Sequence, residues 1–142
     1  MAKGPVGNMD LSKPEIILQD DISMWHAAPI SKVIVYCAQT ITAIRLAYAN
    51  GTTGLTIGSD ESGLEREFVL EEGEFITQVT GRASATHVDA LQFITNTGRK
   101  SGWLGGFGGI QFTMENNNKR LRSVLGYGSG QSLGQLSCIF EN

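Results

Sequence analysis

The stretch Ile76-Thr-Gln-Val79, followed by Val88-Asp-Ala-Leu-Gln-Phe93, decides the fold because the chain contains three versions of it. The other two are residues 30–33 with 41–46, and residues 121–124 with 133–138. The first segments start 46 and 45 residues apart, and the second segments 47 and 45. An aromatic residue after a turn-rich loop repeats with them, as Trp25, Phe68 and Phe112. Three units of about 45 residues nearly fill the 142-residue chain, which predicts a closed threefold arrangement.

Apolar residues alternate along these segments, which is typical of strands with one buried face. The alternating sets are Val33, Val35 and Cys37; Ile44, Leu46 and Tyr48; Leu91 and Phe93; and Leu136, Cys138 and Phe140. Turn residues recur at short intervals, and helical periodicity is nearly absent. The sequence therefore predicts an all-β fold in which each unit is one small antiparallel sheet. The Glu-rich stretch 64–74 is predicted to be a hairpin closed at Glu72-Gly73.

The cycle of units is offset from the ends of the chain, because Trp25 precedes the first strand pair. The N-terminal segment must then complete the unit that the C-terminal segment begins. Pairing of the two ends would close the domain and protect sheet edges.

Length and composition fit one globular domain. Hydrophobic residues make up 41% and charged residues 18% of the sequence, and the formal net charge is −3. The basic residues form no tract, so nucleic acid is not an expected partner. No apolar run approaches the roughly 18 residues that span a bilayer, and no signal-like stretch follows the N-terminus. We therefore expect no membrane insertion and a cytoplasmic location, with a mature secreted form as the alternative.

Catalytic and metal-binding patterns are missing from the sequence. His26 and His87 have no serine or cysteine in a nucleophile context nearby, and Cys37 and Cys138 lack metal-ligand spacing. The glycine-rich segment 126–130 is not followed by the Gly-Lys-Ser/Thr of a phosphate-binding loop. We expect no enzyme, no cofactor and no metal site. The two cysteines are predicted to be buried free thiols, with a disulfide as the alternative.

Longer motifs add a family resemblance. Phe68-Val-Leu-Glu-Glu-Gly-Glu-Phe-Ile76 and Val79-Thr-Gly81, then Leu91-Gln-Phe-Ile-Thr-Asn-Thr-Gly98 and Gly105-Gly-Phe-Gly-Gly109, resemble the jacalin-related lectins. The resemblance is strongest over residues 84–109. It implies an N-terminal extension of residues 1–15 and a jacalin-like lectin domain of residues 16–142. The implied fold is a β-prism I, with three Greek-key antiparallel sheets in pseudo-threefold symmetry, which agrees with the repeat.

The resemblance also implies where a sugar would bind. Members of the family hold it between a G-x-x-x-D loop and a glycine-rich loop. An ionised carboxylate accepts protons from two hydroxyl groups in charge-assisted bonds, and glycine lets backbone N–H groups come close. The second unit matches, with the loop 85–89 and the glycines of 105–109. The implied carbohydrate-binding residues are Asp89, Thr86, His87, Val88, Gly108 and Gly109.

Several features of this candidate site have alternative interpretations. Ala85 replaces the family's first glycine, which implies either a strained positive φ or a shifted loop. Asp89 is expected to face solvent, although it would also suit a turn cap, and the glycines would also suit tight hairpins. Trp103 and Phe107 flank the glycine loop, where they would stack on a sugar, pack in the core or form an exposed patch.

The other two units lack the carboxylate at the equivalent position. Thr42 stands there in the first unit, opposite the acidic loop 58–63. Gly134 stands there in the third unit, opposite Asp20 and Asp21 of the N-terminal loop. Binding in the third unit would require one of these aspartates to replace the missing carboxylate. The alternative is that both are solvated loop acids.

The resemblance therefore implies a non-catalytic, carbohydrate-binding lectin whose partners are glycans. For an uncleaved chain it implies a preference for mannose- or glucose-type glycans. It also implies a homodimer or homotetramer, which would give avidity to one weak site per chain. The alternative is a jacalin-fold protein-interaction or structural module with degenerate sugar sites, since two of the three sites lack their motifs.

Overall fold

The computed structural model describes residues 2–7, 19–20, 28–59 and 63–141, and this part of the chain forms β-strands without any helix. The strands are β1 (Ala2–Gly7), β2 (Gln19–Asp20), β3 (Ile30–Cys37), β4 (Ile41–Tyr48), β5 (Ile57–Gly58), β6 (Leu64–Val69), β7 (Ile76–Ala83), β8 (Val88–Thr95), β9 (Leu104–Gly105), β10 (Ile110–Glu115), β11 (Arg120–Ser129) and β12 (Ser132–Glu141). Accordingly, no helix among these residues is long and apolar enough to cross a membrane. The all-β prediction is confirmed.

The strands form three antiparallel sheets of four strands each. Sheet I has the order β5-β4-β3-β6, sheet II has β9-β8-β7-β10, and sheet III has β1-β12-β11-β2. In every sheet a long hairpin lies at the centre and two outer strands flank it, which is the strand order of a Greek key. The central hairpins β3–β4, β7–β8 and β11–β12 coincide with the three repeated segments of the sequence. The β-prism prediction is confirmed.

Sheet III joins the two ends of the chain. In it β1 pairs with β12, where Ala2 lies opposite Ile139, and β2 pairs with β11, where Asp20 lies opposite Leu125. Both partners belong to the C-terminal hairpin, as the offset of the repeats predicted. The strand β1 lies within the predicted N-terminal extension, and the boundary at residue 16 stays a prediction.

The hairpin predicted for residues 64–74 is wrong, although its strand exists. β6 pairs with β3, where Phe68 lies opposite Val33, whereas β7 pairs with β8 and β10. The turn at Glu72-Gly73 therefore carries the chain from sheet I to sheet II. Local alternation indicates that a strand forms, but the choice of partner depends on packing against distant segments.

The core lies where the inner faces of the three hairpins meet. One cluster of buried side chains includes members of all three sheets, among them Val33, Leu46, Leu91, Phe93 and Leu136, none of which is exposed. Each hairpin has one apolar face and cannot bury it alone. Packing three such faces around a common axis removes all of them from water.

The two cysteines are buried free thiols, as predicted. Cys37 lies at the end of β3, and Cys138 lies within β12. Burial raises the pKa of the Cys138 thiol, so this side chain stays protonated at neutral pH. A protonated, buried thiol is a poor nucleophile and packs as a small apolar residue.

A buried carboxylate joins the β6–β7 turn to the loop after β8. The Glu74 side chain is 3% exposed, and Arg99 donates to it twice, from Nη2 to Oε1 at 2.6 Å and from Nε to Oε2 at 3.0 Å. The Thr97 hydroxyl donates to Oε2 at 3.1 Å, and the Arg99 guanidinium lies 4.6 Å from the centre of the Phe68 ring. Arg99 holds the pKa of Glu74 far below its ordinary value of 4.5, against the opposing effect of burial.

We expect Phe93→Ala to lower the free energy of unfolding by about 3–5 kcal/mol, because it leaves a cavity at the centre of the core. Phe107→Ala is the matched control. Its ring is 95% exposed, so the same change should alter stability by less than about 0.5 kcal/mol. Urea unfolding measures both values. Equal losses in the two variants would contradict the location of the core.

A second prediction concerns the Glu74–Arg99 pair. Folding lowers the pKa of Glu74, so the stability that the pair contributes is complete above about pH 4.5 and is lost as the pH falls toward the folded-state value. We expect Arg99→Gln to lower the melting temperature at pH 7 by more than about 5 °C. The difference from the wild type should narrow between about pH 5 and pH 3, which thermal unfolding across this range measures.

The control for this prediction is Lys32→Gln. Lys32 and Glu67 also form an ion pair, at 3.0 Å, but their side chains are 34% and 39% exposed. Removing an exposed pair should change the melting temperature by less than about 2 °C at any pH. A pH-independent difference for Arg99→Gln would show that Arg99 acts through packing on Phe68 rather than through its charge.

Candidate functional site

The turn of the β7–β8 hairpin and the loop between β9 and β10 meet at one end of sheet II. Asp89 is the second residue of β8, and the pairing of β8 with β9 places Ala90 opposite Gly105. The Gly106 amide then donates to the Asp89 carbonyl oxygen at 2.9 Å. The two loops that the motifs predicted to form the site, 85–89 and 105–109, are therefore in contact.

The Asp89 carboxylate lies directly beside the paired glycines. A β-carbon at Gly109 would lie 2.5 Å from Oδ2, and one at Gly108 would lie 3.1 Å from Oδ1. Gly109 also has a φ of +81°, which residues with a side chain rarely adopt. Glycine is needed at position 109, because a side chain there would collide with the carboxylate and with the Ala83 backbone, 2.7 Å from the added β-carbon.

Both carboxylate oxygens have hydrogen-bond partners within their own loop. The Ser84 hydroxyl donates to Oδ2 at 2.9 Å, and Nε2 of His87 lies 3.1 Å from Oδ1. An ionised carboxylate only accepts, so Nε2 donates to it, and Nδ1 lies 3.0 Å from the Thr86 hydroxyl oxygen. The Asp89 side chain is only 7% exposed, so the expectation that it faces solvent is wrong. Ser84 and His87 cover it because the turn folds back over its own strand.

Three backbone amides near the carboxylate are left without an acceptor. Among the described residues, none accepts a hydrogen bond from the N–H groups of Thr86, His87 or Gly109. Thr86 and Gly109 are exposed. Each carboxylate oxygen can accept about two hydrogen bonds, so Asp89 also retains acceptor capacity. This end of sheet II therefore presents donors and acceptors side by side.

Arg82 supports this site, although no sequence motif pointed to it. From β7, its Nε donates to the Gly108 carbonyl at 3.2 Å and its Nη2 to the Gly109 carbonyl at 3.5 Å. A loop of glycines has no side chains to anchor it, so the guanidinium holds it through its carbonyl groups. Arg82 reaches the loop because β7 pairs with β10, with Arg82 opposite Gln111. A local sequence pattern does not predict which strands pair.

The remaining predicted residues occupy different surroundings. Val88 is fully buried, so only its backbone belongs to the site. Phe107 stands between glycines at the tip of the loop and is 95% exposed, which excludes a core role. Trp103, just before β9, is 49% exposed.

Ala85 carries no backbone strain. In the described part of the chain, the residues other than glycine with a positive φ are Asn117 and Asn118. Gly130, at the position equivalent to Ala85 in the third unit, has a φ of +59°. The loop of the second unit therefore takes a different conformation at this position, and the strained alternative for Ala85 is wrong.

The first unit keeps the backbone scaffold without the carboxylate. The Ser59 amide donates to the Thr42 carbonyl at 2.9 Å, which corresponds to the bond between Gly106 and Asp89. Thr42 is buried, and its hydroxyl donates to the Tyr36 carbonyl at 2.8 Å. The Thr42 side chain, at the position equivalent to Asp89, therefore stabilises its own hairpin.

The loops of the first and third units are tied to each other. The Thr40 and Ser132 hydroxyls lie 2.8 Å apart, and the Ser59 hydroxyl donates to the Gly130 carbonyl at 2.6 Å. Gly134 is buried within β12. Asp21, residues 60–62 and the side chain of Asp20 lie outside the described residues, so their roles stay predictions. For the residues that the structure describes, no group of His, Cys, Asp or Glu side chains is arranged to hold a metal ion.

Comparison with known proteins identifies the family. The family model of the Jacalin-like lectin domain matches residues 18–139. This chain belongs to the jacalin-like lectin family. Jacalin-like lectins bind carbohydrates and catalyse no reaction, so the chain is a carbohydrate-binding lectin with glycan partners, as the sequence motifs implied.

Solved structures of jacalin-like proteins share this fold. A prostate-specific WGA16 glycoprotein lectin is 20% identical with a TM-score of 0.79, and the match covers 97% of this chain and 98% of that one. The mannose binding lectin from champedak is 22% identical with a TM-score of 0.79, over 100% and 97% of the two chains. A mannose binding jacalin related lectin from Ananas comosus is 23% identical with a TM-score of 0.75, over 97% and 94%. A sequence search of curated proteins finds no significant match.

The absence of strain at Ala85 predicts the outcome of two matched substitutions. Ala85→Gly should lower the free energy of unfolding by about 0.4–1 kcal/mol, because glycine adds entropy to the unfolded chain and relieves nothing in the folded one. Gly130→Ala should lower it by about 1 kcal/mol, because alanine disfavours a φ of +59°. Urea unfolding measures both. A gain in stability for Ala85→Gly would show that the loop is strained after all.

Proposed function

We propose that this lectin binds mannose- or glucose-type glycans at the end of sheet II. The proposed contacts are the Asp89 carboxylate, the backbone of Thr86, His87, Val88, Gly108 and Gly109, and the His87 ring. The observation that carries the proposal is the placement of the Asp89 carboxylate beside three amides that lack acceptors.

The proposed chemistry matches neighbouring hydroxyl groups on a sugar. Each hydroxyl donates one proton and accepts others, so it can give a proton to Asp89 while its oxygen accepts from an amide. A bond to an ionised carboxylate is charge-assisted and therefore stronger than a bond between neutral groups. Mannose and glucose share the same equatorial arrangement at carbons 3, 4 and 5, whereas galactose differs at carbon 4. A rigid row of donors and acceptors favours one of these arrangements over the other.

The cover over Asp89 has a consequence for affinity. His87 lies over Oδ1, and its side chain is 32% exposed, so one edge of the ring faces solvent. In the proposed complex a sugar hydroxyl replaces Nε2 at Oδ1, while Ser84 keeps its bond to Oδ2. Binding then exchanges one internal hydrogen bond for one to the ligand. The affinity for a monosaccharide should accordingly be low, with a Kd on the order of 1 mM.

The similar structures support the mannose preference. The lectins from champedak and Ananas comosus are mannose binding proteins, and both superimpose on almost the whole chain. We propose the same preference here. We also propose a homodimer or homotetramer, since several weak sites in one assembly bind a branched glycan with useful avidity.

The proposal is tested by Asp89→Asn. The amide keeps the shape of the carboxylate and its ability to accept from Ser84, but it loses the charge. We expect the affinity for methyl α-mannoside to fall at least about tenfold, as measured by isothermal titration calorimetry. Asp20→Asn, in β2 of sheet III opposite Leu125, is the control and should leave the affinity unchanged.

Two outcomes would argue against the proposed site. Loss of binding in Asp20→Asn but not in Asp89→Asn would place the site in the third unit. A folded wild-type protein that binds no sugar on a glycan array would favour the alternative, a protein-interaction or structural module with degenerate sites. That alternative draws support from Thr42 and Gly134, which leave two of the three equivalent positions without a carboxylate.

A further inference from the structure

The glycine loop also borders a groove of about 290 Å³ between sheet I and sheet II. Leu64 and Arg66 of β6 line one side, and Trp103 and Gly105 line the other. Gly105 is at the start of the loop, whereas Gly108 and Gly109 at its end face Asp89. The groove and the Asp89 site are therefore connected through one loop of five residues.

Among the described residues, the strands at this junction meet differently from those at the two other junctions between sheets. At the two other junctions between sheets, the outer strands lie against each other, β1 against β10 and β2 against β5. At the junction of sheets I and II, β9 packs against β3, and the groove opens between β9 and β6. This junction is therefore accessible to a ligand.

The side chains that line the groove are an aromatic ring, an aliphatic side chain and a cation. Trp103 is 49% exposed and Leu64 is 55% exposed. Side chains alternate along β6, so Arg66 lies on the same face as Leu64 and the buried Phe68. Glu65 and Glu67, on either side of Arg66, lie on the opposite face.

Arg66 is available to a ligand. Within the described part of the chain its guanidinium has no hydrogen bond or ion pair, and no acidic side chain lines the groove. The neighbouring Glu67 is already paired with Lys32 at 3.0 Å. The groove therefore combines an unpaired positive charge with an exposed indole ring.

We infer that this groove is a second subsite, which takes an acidic sugar residue linked to the neutral sugar at Asp89. The inference rests on the proposed function and deepens it. The indole ring stacks on the apolar face of the pyranose, and the planar guanidinium binds its carboxylate or sulfate group. The acidic sugar cannot occupy the Asp89 site itself, because its negative charge and that of the Asp89 carboxylate repel each other. Gly105 borders the groove and Gly108 borders Asp89, and their Cα atoms, three residues apart, are at most about 11 Å from each other, a span within reach of an oligosaccharide.

The test uses glucosyl-mannose disaccharides as α1→2, α1→3 and α1→6 isomers. Each is compared with the counterpart in which glucuronic acid or glucose 6-sulfate replaces glucose. Methyl α-mannoside is the monosaccharide reference. Isothermal titration calorimetry should show that the wild type binds at least one acidic isomer roughly two- to fivefold more tightly than its neutral counterpart. A preference for the uronate, for the sulfate or for both identifies which anionic group the subsite takes.

Three variants assign that preference to the groove. Arg66→Gln should abolish it and leave the affinity for methyl α-mannoside unchanged. Lys119→Gln removes the same charge from the turn between β10 and β11, at the far end of sheet II, and should keep the preference. Trp103→Ala should weaken binding of the acidic disaccharide that the wild type prefers but not of methyl α-mannoside. Unchanged melting temperatures show that each variant folds.

The results separate this inference from the proposed function. Equal binding of all acidic and neutral isomers by the wild type overturns the second subsite, and so does a preference that survives Arg66→Gln. In both cases binding of methyl α-mannoside leaves the proposed function standing. A wild type that binds neither methyl α-mannoside nor any disaccharide overturns both.

Discussion

The whole structure depends on one constraint. Each of the three hairpins has a single apolar face, and the three faces must be buried against one another. A single hairpin would leave side chains such as Leu46, Phe93 and Leu136 in contact with water, whereas three around one axis leave none of them exposed. The same constraint explains why sheet III is assembled from both ends of the chain. Without β1 and β2 the C-terminal hairpin would have two open edges beside the core.

This architecture separates the scaffold from the chemistry of the site. The hydrogen bond from Gly106 to the carbonyl of Asp89 has its counterpart in the bond from Ser59 to the carbonyl of Thr42, so the backbone is the same whether or not a carboxylate is present. The threefold core holds each hairpin in place regardless of its turn. A site in one unit can therefore be lost, or kept, without any effect on the fold. Within this chain the second unit is the one that retains both the carboxylate and the paired glycines.

The site in the second unit is held together by interactions that glycine itself cannot provide. Arg82 holds the carbonyl groups of Gly108 and Gly109, and Ser84 and His87 hold the carboxylate. Such pre-organisation lowers the entropy cost of binding. The hydrogen bond between His87 and Asp89 must still be exchanged for a bond to the ligand. The exposed side of the loop, toward Arg66 and Trp103, has no such cover. A ligand that extends into this groove would add contacts without displacing internal ones.

The sequence by itself determined the strands of the three central hairpins and the number of units, and its resemblance to the jacalin-related lectins implied the pairing of Asp89 with the glycine loop. The hairpins and units depend on local alternation and on a repeat of about 45 residues, which can be read along the chain because each unit is built alike. Only the tertiary structure decided that β6 pairs with β3, that Ser84 and His87 cover Asp89, and that Arg82 holds the glycine loop. It alone placed Arg66 beside Trp103, 37 residues further along the chain. Such contacts depend on which strands become neighbours and on how a turn folds back, and a pattern of apolar residues contains neither.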